Sequence, residues 1–367
     1  MRSGLPRRLY FAFLESCEKK LSVRNLRQTT ALASLAIAVL ICSCHSAASN
    51  SAAASGTSTA PAQESAAQIT AEAAKAPPAS KTGGFDGARA YEQVAKLVGF
   101  GPRPPGSDAI RSSQEYIHSQ LSGFGCAVDE DSFNAQTPIG NVAMKNIVAK
   151  IPGTGQGIIL LLTHYDTLRL DNFVGAEDGG SSSGLMLELA HELCGEEPQR
   201  NAVWIAFLDG EEAQLVQNGV AQWTDADSVY GSRELAARMA VADDLKRVRA
   251  VILADMVGQY NLRIERENSS THALTDMVWK TAARLGYGNI FVQQATTVED
   301  DHGPFLKRGV PAVDIIDLDG YQYWHTPQDT LDKVSAASLA AVGHVILATV
   351  QELQKPGAPS FTAVPKP

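Results

Sequence analysis

Three short runs of the chain are almost wholly apolar and end abruptly in ionisable residues. Residues 158–163 run into His164-Tyr165-Asp166, residues 202–208 into Asp209-Gly210-Glu211-Glu212, and residues 250–254 into Asp255. A run without a polar face can only be a strand buried on both sides, which is the mark of a sheet covered by helices. Residues 146–151 and 312–316 add two more β-rich runs. Between and around them, apolar spacing of three and four residues predicts helices over 90–98, 109–121, 182–193, 233–241, 271–285 and 336–353. The alternation predicts an α/β domain of three layers, α/β/α, around a mostly parallel, mixed central sheet. No internal repeat is present.

Organisation along the chain follows from composition. Arg24 and Arg27 precede an uncharged apolar run, 31–41, that fits an export signal but is shorter than the ~20 residues needed to span a bilayer. The run ends in Ile41-Cys42-Ser43-Cys44, which resembles a bacterial lipoprotein cleavage box with Cys44 as the lipidated residue. Cys42 stands where a small or β-branched residue is usual, and simple cleavage near Ser46 or Ala47 is the alternative. The charged stretch before Arg24 is long for a signal, which fits a translation start downstream of Met1. The resulting expectation is a signal and lipobox region over 1–44, a disordered Ala/Ser-rich tether over 45–84, a catalytic domain over 85–355 and a flexible tail over 356–367. The protein is expected to be exported to the periplasm or cell envelope and to act as a monomer, touching membrane only through a lipid on Cys44.

Charge excludes one occupation. The first 27 residues hold seven basic and two acidic groups, leaving 24 basic against 38 acidic in the rest. A body this acidic repels phosphate backbones, so nucleic acid is not expected as a partner. Five cysteines are too few and too scattered for a disulfide framework, and whether Cys126 pairs with Cys194 stays open.

In parallel sheets chemistry gathers at the carboxyl ends of the strands, and that is where the ionisable residues fall. Glu299-Asp300-Asp301-His302 and Tyr323-Trp324-His325-Thr326 follow later. One carboxylate at a strand tip can simply cap the next helix. A whole set collected at one rim repels itself and loses hydration unless a cation neutralises it. Histidines and carboxylates without thiolate point to zinc. Adjacent Glu211 and Glu212 leave their strand pointing in different directions, so one can bind metal while the other carries protons.

The segments His164-Tyr-Asp166, Phe173-Val-Gly-Ala-Glu-Asp178, Phe207-Leu-Asp-Gly-Glu211-Glu212-Ala, Asp300-Asp-His-Gly-Pro-Phe305 and Trp324-His325-Thr resemble the M28 family of zinc aminopeptidases. Within it they are most similar to the animal-type glutaminyl cyclases, over roughly Tyr91 to Leu353. The resemblance implies a zinc-aminopeptidase-like fold and zinc ligands at Asp178, Glu212 and His325. It implies general acid/base work at Glu211, supporting acids Asp255 and Asp300 joined in a hydrogen-bond network beside the substrate, and pocket tryptophans at Trp223 and Trp324. His164, Asp166 and Asp255 are candidates for a second metal or for support of the first. One zinc is expected for a cyclase acting on peptide or protein amino termini, and two for an aminopeptidase. Departures exist: about six extra residues separate Glu212 from Trp223, Asp314 replaces a histidine of the animal enzymes, Gly320 stands for an aromatic residue, and Thr163 and Ser183 stand for two cysteines.

Two rival readings deserve a test against structure. Gly180-Ser-Ser182-Ser-Gly184 fits a nucleophile elbow, with Asp255 and His325 following in the order that serine hydrolases use. The segment before it is polar and glycine-rich rather than a strand. A tethered, non-catalytic binding lipoprotein would be expected to lack some chemical positions, and none of the core ones is missing. His191-Glu192 lacks the second histidine of a zincin helix, because Gly195 stands there.

Overall fold

The computed structural model describes residues 64–363. The signal region, Cys44 and the last four residues lie outside them. In chain order come α1 (Ala66–Ala73), α2 (Gly87–Val98), α3 (Asp108–Gly123), β1 (Ala127–Thr137), β2 (Gly140–Ile151) and β3 (Ile158–His164). There follow α4 (Ser182–Leu193), β4 (Ala202–Leu208), the two-residue strands β5 (Val216–Gln217) and β6 (Val220–Ala221), α5 (Tyr230–Val241) and β7 (Val248–Asp255). The chain ends with β8 (Ile264–Glu267), α6 (His272–Arg284), β9 (Phe291–Thr296), the single turn α7 (Gly303–Leu306), β10 (Ala312–Ile316) and α8 (Ala336–Gln354). Asp86, Ser107 and Ser335 start α2, α3 and α8 by accepting first-turn N–H groups on their side chains.

Six strands form the central sheet in the order β1-β2-β4-β3-β7-β10. β4, β3, β7 and β10 run parallel, while the β1–β2 hairpin adds antiparallel pairing at one edge. Alternation along each strand divides the core in two. Ile159, Leu161, Ile205, Phe207, Ile252 and Val313 face one layer, packed against α2, α4, α6 and α8. Leu160, Leu162, Trp204, Ala206, Val251 and Leu253 face the other, against Leu235, Ala236 and Met239 of α5 and Phe305 of α7. This is the three-layer sandwich expected, with a mixed sheet. α8 is long and apolar enough to cross a membrane, yet its side chains are buried against the core. The chain moves from β3 to β4 on one side and then to β7 on the other, so the order reverses at β3. That reversal opens a crevice at the strand tips, and His164 stands at the end of the strand where it occurs.

Three expectations need correction. Residues 64–84 are not tether: Ser65 and Gln68 form a reciprocal cap on α1, Ile69 and Ala73 pack on the main core, and the Glu72 carboxylate accepts the Tyr260 hydroxyl at 2.6 Å. Alanine-rich composition hid this helix, since alanine supplies helix propensity without marking a face. The start of the tail also docks, with Phe361 against the core, Ala363 buried and Arg249 donating to Ser360 at 3.1 Å. β1 went unread because most of its residues are exposed, so Asp129 and Glu130 interrupt the apolar pattern, and Asp131 is buried against Arg238.

Cys126, at the start of β1, and Cys194, at the end of α4, form a disulfide with Cα atoms 5.2 Å apart and positions 68 apart in sequence. A cross-link over a loop this long restricts the unfolded chain strongly. The double variant Cys126→Ala/Cys194→Ala is expected to lower unfolding stability by about 2–4 kcal/mol, measured by denaturant titration against the oxidised protein.

Candidate metal centre

Two triads of ligating groups meet at the strand tips, and they share one residue. Asp178, Glu212 and His325 form the first, and His164, Asp178 and Asp255 the second. His325 Nε2 lies 3.4 Å from Asp178 Oδ2 and 3.1 Å from Glu212 Oε2. His164 Nε2 lies 3.3 Å from Asp178 Oδ1 and 3.0 Å from Asp255 Oδ1. Asp178 thus turns one oxygen to each side. Glu212 divides its oxygens too, Oε1 accepting the Leu168 N–H at 3.2 Å and Oε2 facing the centre. Among the described residues, Asp178 Oδ2 and Glu212 Oε2 are buried without a hydrogen-bond partner. Two unpaired carboxylate oxygens converging on an imidazole nitrogen have the chemistry of a cation site, and the donor set suits zinc.

The backbone is bent to make this possible. Between β3 and α4 the turn Ala176–Ser181 leaves helical geometry at Asp178 and Gly179, whose φ is +75°. A Cβ on Gly179 would come within 2.8 Å of both Asp166 O and His164 Cε1, so only glycine fits there. The Asp329 carboxylate accepts the N–H groups of Glu177 at 2.8 Å and Asp178 at 3.1 Å, fixing the turn from outside. Asp166 accepts the N–H groups of Glu211 at 3.2 Å and Glu212 at 3.3 Å, one on each oxygen. Its place is therefore under the Glu211-Glu212 turn. His325 itself sits at φ +52°, with its ring stacked on Trp324 at 4.1 Å and edge-on to Phe173. A non-glycine residue in that conformation carries strain that its surroundings must hold.

Arg103 was not singled out from sequence, though it is fully buried. Its guanidinium donates to the carbonyls of Tyr165 at 2.8 Å, Val174 and Gly175 at 2.9 Å, lacing together the loop that follows β3. Burial lowers its pKa to about 10, while Asp166, Asp329 and Asp178 pull the other way. Arg103 and Asp329 give no periodic or motif signal, because each acts through backbone groups remote in sequence.

The carboxylates feel one another. Burial raises Glu211 well above the usual range, and Asp300, Glu212 and Asp301 add to that against the opposing charge of His164. Burial likewise pushes Glu212 to about 7, opposed by His325. Burial would raise Asp178 too, but the imidazoles of His164 and His325 beside it hold it below the usual range. His325 is raised to about 10: burial opposes this, and Glu212 and Asp178 outweigh it. Asp300 is raised by burial and by Asp255. The expected hydrogen-bond network between Asp255 and Asp300 is not formed directly. Asp300 Oδ1 accepts the Asp301 N–H, and its Oδ2 has no partner among the described residues. Behind it lie Asp314 and His302, with His302 Nδ1 3.7 Å from Asp314 and Nε2 3.1 Å from Glu267.

A cavity of about 560 Å³ opens over the first triad, with Glu211, Asp255, Asp300, Trp223 and Trp324 in its wall. Ser182 does not belong to it. Its hydroxyl is fully buried and accepts from Thr163 Oγ1 at 2.8 Å, while His325 is engaged with Asp178 and Glu212. An irregular turn rather than a strand precedes Ser182, so the serine-hydrolase reading fails.

A three-layer α/β fold with carboxylates and imidazoles gathered at its parallel strand tips defines the class as a metallo-exopeptidase-like protein. The chain belongs to peptidase family M28, whose family model matches residues 146–350. A solved glutaminyl cyclase from an Acidobacteriales bacterium is similar at 37% identity and TM-score 0.69, over 81% of this chain and 98% of that one. A Zn-dependent exopeptidase from Parabacteroides distasonis is similar at 28% identity and TM-score 0.67, over 72% and 98%. The glutaminyl-peptide cyclotransferase of Bothrops jararaca is 30% identical over 288 residues, 67% of this chain and 76% of its own length.

The site depends on Arg103 for shape as well as for charge. Arg103→Met is expected to lower stability by about 3–5 kcal/mol, because three buried carbonyls lose their donor and the nearby carboxylates lose a cation. Chemical denaturation of the purified variant measures the loss.

Proposed function

We propose that this chain is a zinc-dependent glutaminyl-peptide cyclotransferase, which closes an amino-terminal glutamine to pyroglutamate and releases ammonia. One observation carries the reading. Glu211 and Asp300, two buried acids, share the wall of a single cavity with Trp223 and Trp324, above the triad of Asp178, Glu212 and His325. The similarity to solved glutaminyl cyclases supports it.

In this reading Asp178, Glu212 and His325 hold one zinc ion. When bound, the ion supplies a Lewis acid for the glutamine γ-carboxamide carbonyl and a positive charge for the surrounding acids. Trp324 and Trp223 wall the glutamine side chain, holding it where the peptide's own α-amine reaches the carbonyl carbon. Because nucleophile and electrophile belong to one residue, orientation replaces a bimolecular encounter. Glu211 accepts a proton from the attacking amine and returns it to the departing nitrogen, so a C–N bond forms, the C–NH2 bond breaks and ammonia leaves. Asp255 and Asp300 lie beside Glu211 in the wall and hold the transferred protons. No water enters the reaction. Substrates are peptide or protein amino termini, and the chain is proposed to act as a monomer.

A second reading, an aminopeptidase with two zinc ions, has its own support in the second triad of His164, Asp178 and Asp255 and in the similarity to a Zn-dependent exopeptidase. Asp300 and the two tryptophans favour the cyclase. Glu212→Gln is expected to lose zinc by elemental analysis, since an amide is a poor anionic ligand. Glu211→Gln is expected to keep zinc and lose turnover by a factor of about 100 or more. Mass analysis of one Gln-initiated and one Leu-initiated peptide separates the two activities. Loss of ammonia from the first alone supports cyclisation, and free leucine from the second overturns it.

Export is also proposed, with a lipid on Cys44. The apolar run after Arg27 supports it, and so does the Cys126–Cys194 disulfide, which fits an oxidising compartment. Cys44→Ala is expected to move the protein from the membrane fraction to the soluble one. An unchanged distribution on membrane flotation would remove the lipid from the account.

A further inference from the structure

Five large apolar side chains are exposed among the described residues, and two of them, Val220 at 61% and Trp324 at 44%, border the cavity over the triad. A single exposed valine on a surface needs no explanation. Val220 differs in its setting. Ala221, Val298 and Leu318 line the same cavity, so its mouth is mainly apolar, with Thr297 and Glu299 as its exposed polar members, while its depth holds the buried acids. An apolar rim around a few converging polar groups is the usual make-up of a ligand site.

Val220 is also held in place. The stretch between Glu212 and Trp223 forms the β5–β6 hairpin, turned by Asn218 at φ +53° and Gly219 at φ +75°. Two successive left-handed residues make the turn whose twist matches paired strands, and Asn-Gly is its preferred sequence. Below the turn, the Asp227 carboxylate accepts the N–H groups of Gln214 at 3.1 Å and Leu215 at 2.9 Å. Gln222 N–H then donates to Leu215 O at 2.8 Å and closes the base. The lip is therefore a built element with a valine directly after its turn.

We infer that the β5–β6 hairpin forms a subsite for the second residue of the substrate and selects peptides with an apolar side chain there. The inference rests on the cyclase reading. If the terminal glutamine fills the depth of the cavity, the rest of the peptide must leave through the mouth, and its second side chain is the first group to meet the rim. Glu299, exposed in the same rim, and the buried acids beneath disfavour an acidic residue at that position. The order expected is apolar, then glycine, then acidic.

The test is ammonia release by the full chain from Gln-Leu, Gln-Gly and Gln-Glu peptide amides of equal length. Partial burial of a leucine side chain predicts a kcat/KM ratio of Gln-Leu to Gln-Gly of about ten. Val220→Ser is expected to cut that ratio about threefold to fivefold, and Val220→Phe to keep or raise it. Ile139→Ser, an exposed apolar position on the β1–β2 turn away from this cavity, serves as control and keeps the ratio. Ammonia release with a wild-type ratio near one, or with a ratio unmoved by Val220→Ser, overturns the subsite and leaves the cyclase standing. No ammonia from any of the three peptides overturns the cyclase reading, and the subsite falls with it.

Discussion

The buried carboxylates at one rim of the sheet set the terms for the rest of the molecule. Asp166, Asp178, Glu211, Glu212, Asp255, Asp300 and Asp301 all lose most of their water there. Each would prefer hydration or protonation to burial as an anion. The protein answers by giving backbone N–H groups to Asp166 and Asp329, by bringing His164 and His325 against Asp178, and by burying Arg103 behind the loop. Among the described residues, several carboxylate oxygens remain unmatched, at Asp300, Asp301 and Asp314 as well as at Asp178 and Glu212, and only the last two converge on an imidazole nitrogen in a way that fits a cation. The apolar strands serve the same end, because a rigid sheet is needed to hold like charges together.

Much of this was legible in the sequence for a simple reason: strands covered on both faces must be apolar throughout, so their ends stand out. The buried strands β3, β4, β7 and β10 and the acids that follow them could be read directly. Elements with mixed faces could not. β1 carries acidic residues on an exposed edge, and α1 is built from alanine, which marks no face. The grouping of Asp178, Glu212 and His325 was implied by the family resemblance, and their ligating atoms do lie together. The site was not legible where a side chain works through distant backbone, as Arg103 and Asp329 do. Asp166 was noticed, but its two N–H partners depend on how the 209–212 turn folds back beside it. The Asp255–Asp300 contact was expected from resemblance, and here Asp300 instead faces a neighbourhood changed by Asp314.

Strain in the backbone follows the site closely. His325, Val229 and Met256 all take left-handed conformations, which for a β-branched valine is costly. Val229 donates its N–H to Glu211 O at 2.8 Å, so its conformation closes the turn that carries both glutamates. Met256 follows Asp255 directly and lies in the cavity wall. Relaxing any of these positions would move a group by a fraction of a side-chain length, which matters where proton transfer depends on reach.

Asp178 faces both triads, with one oxygen turned to each. Its single negative charge is therefore common property: a cation drawing on Oδ2 leaves Oδ1 less basic toward His164, and a proton on His164 weakens what Oδ2 offers on the other side. The two halves of the centre form one linked equilibrium rather than two independent sites. A substitution at Asp255 or His164 would therefore be felt at Glu212 and His325 as well, through the one carboxylate that both triads share.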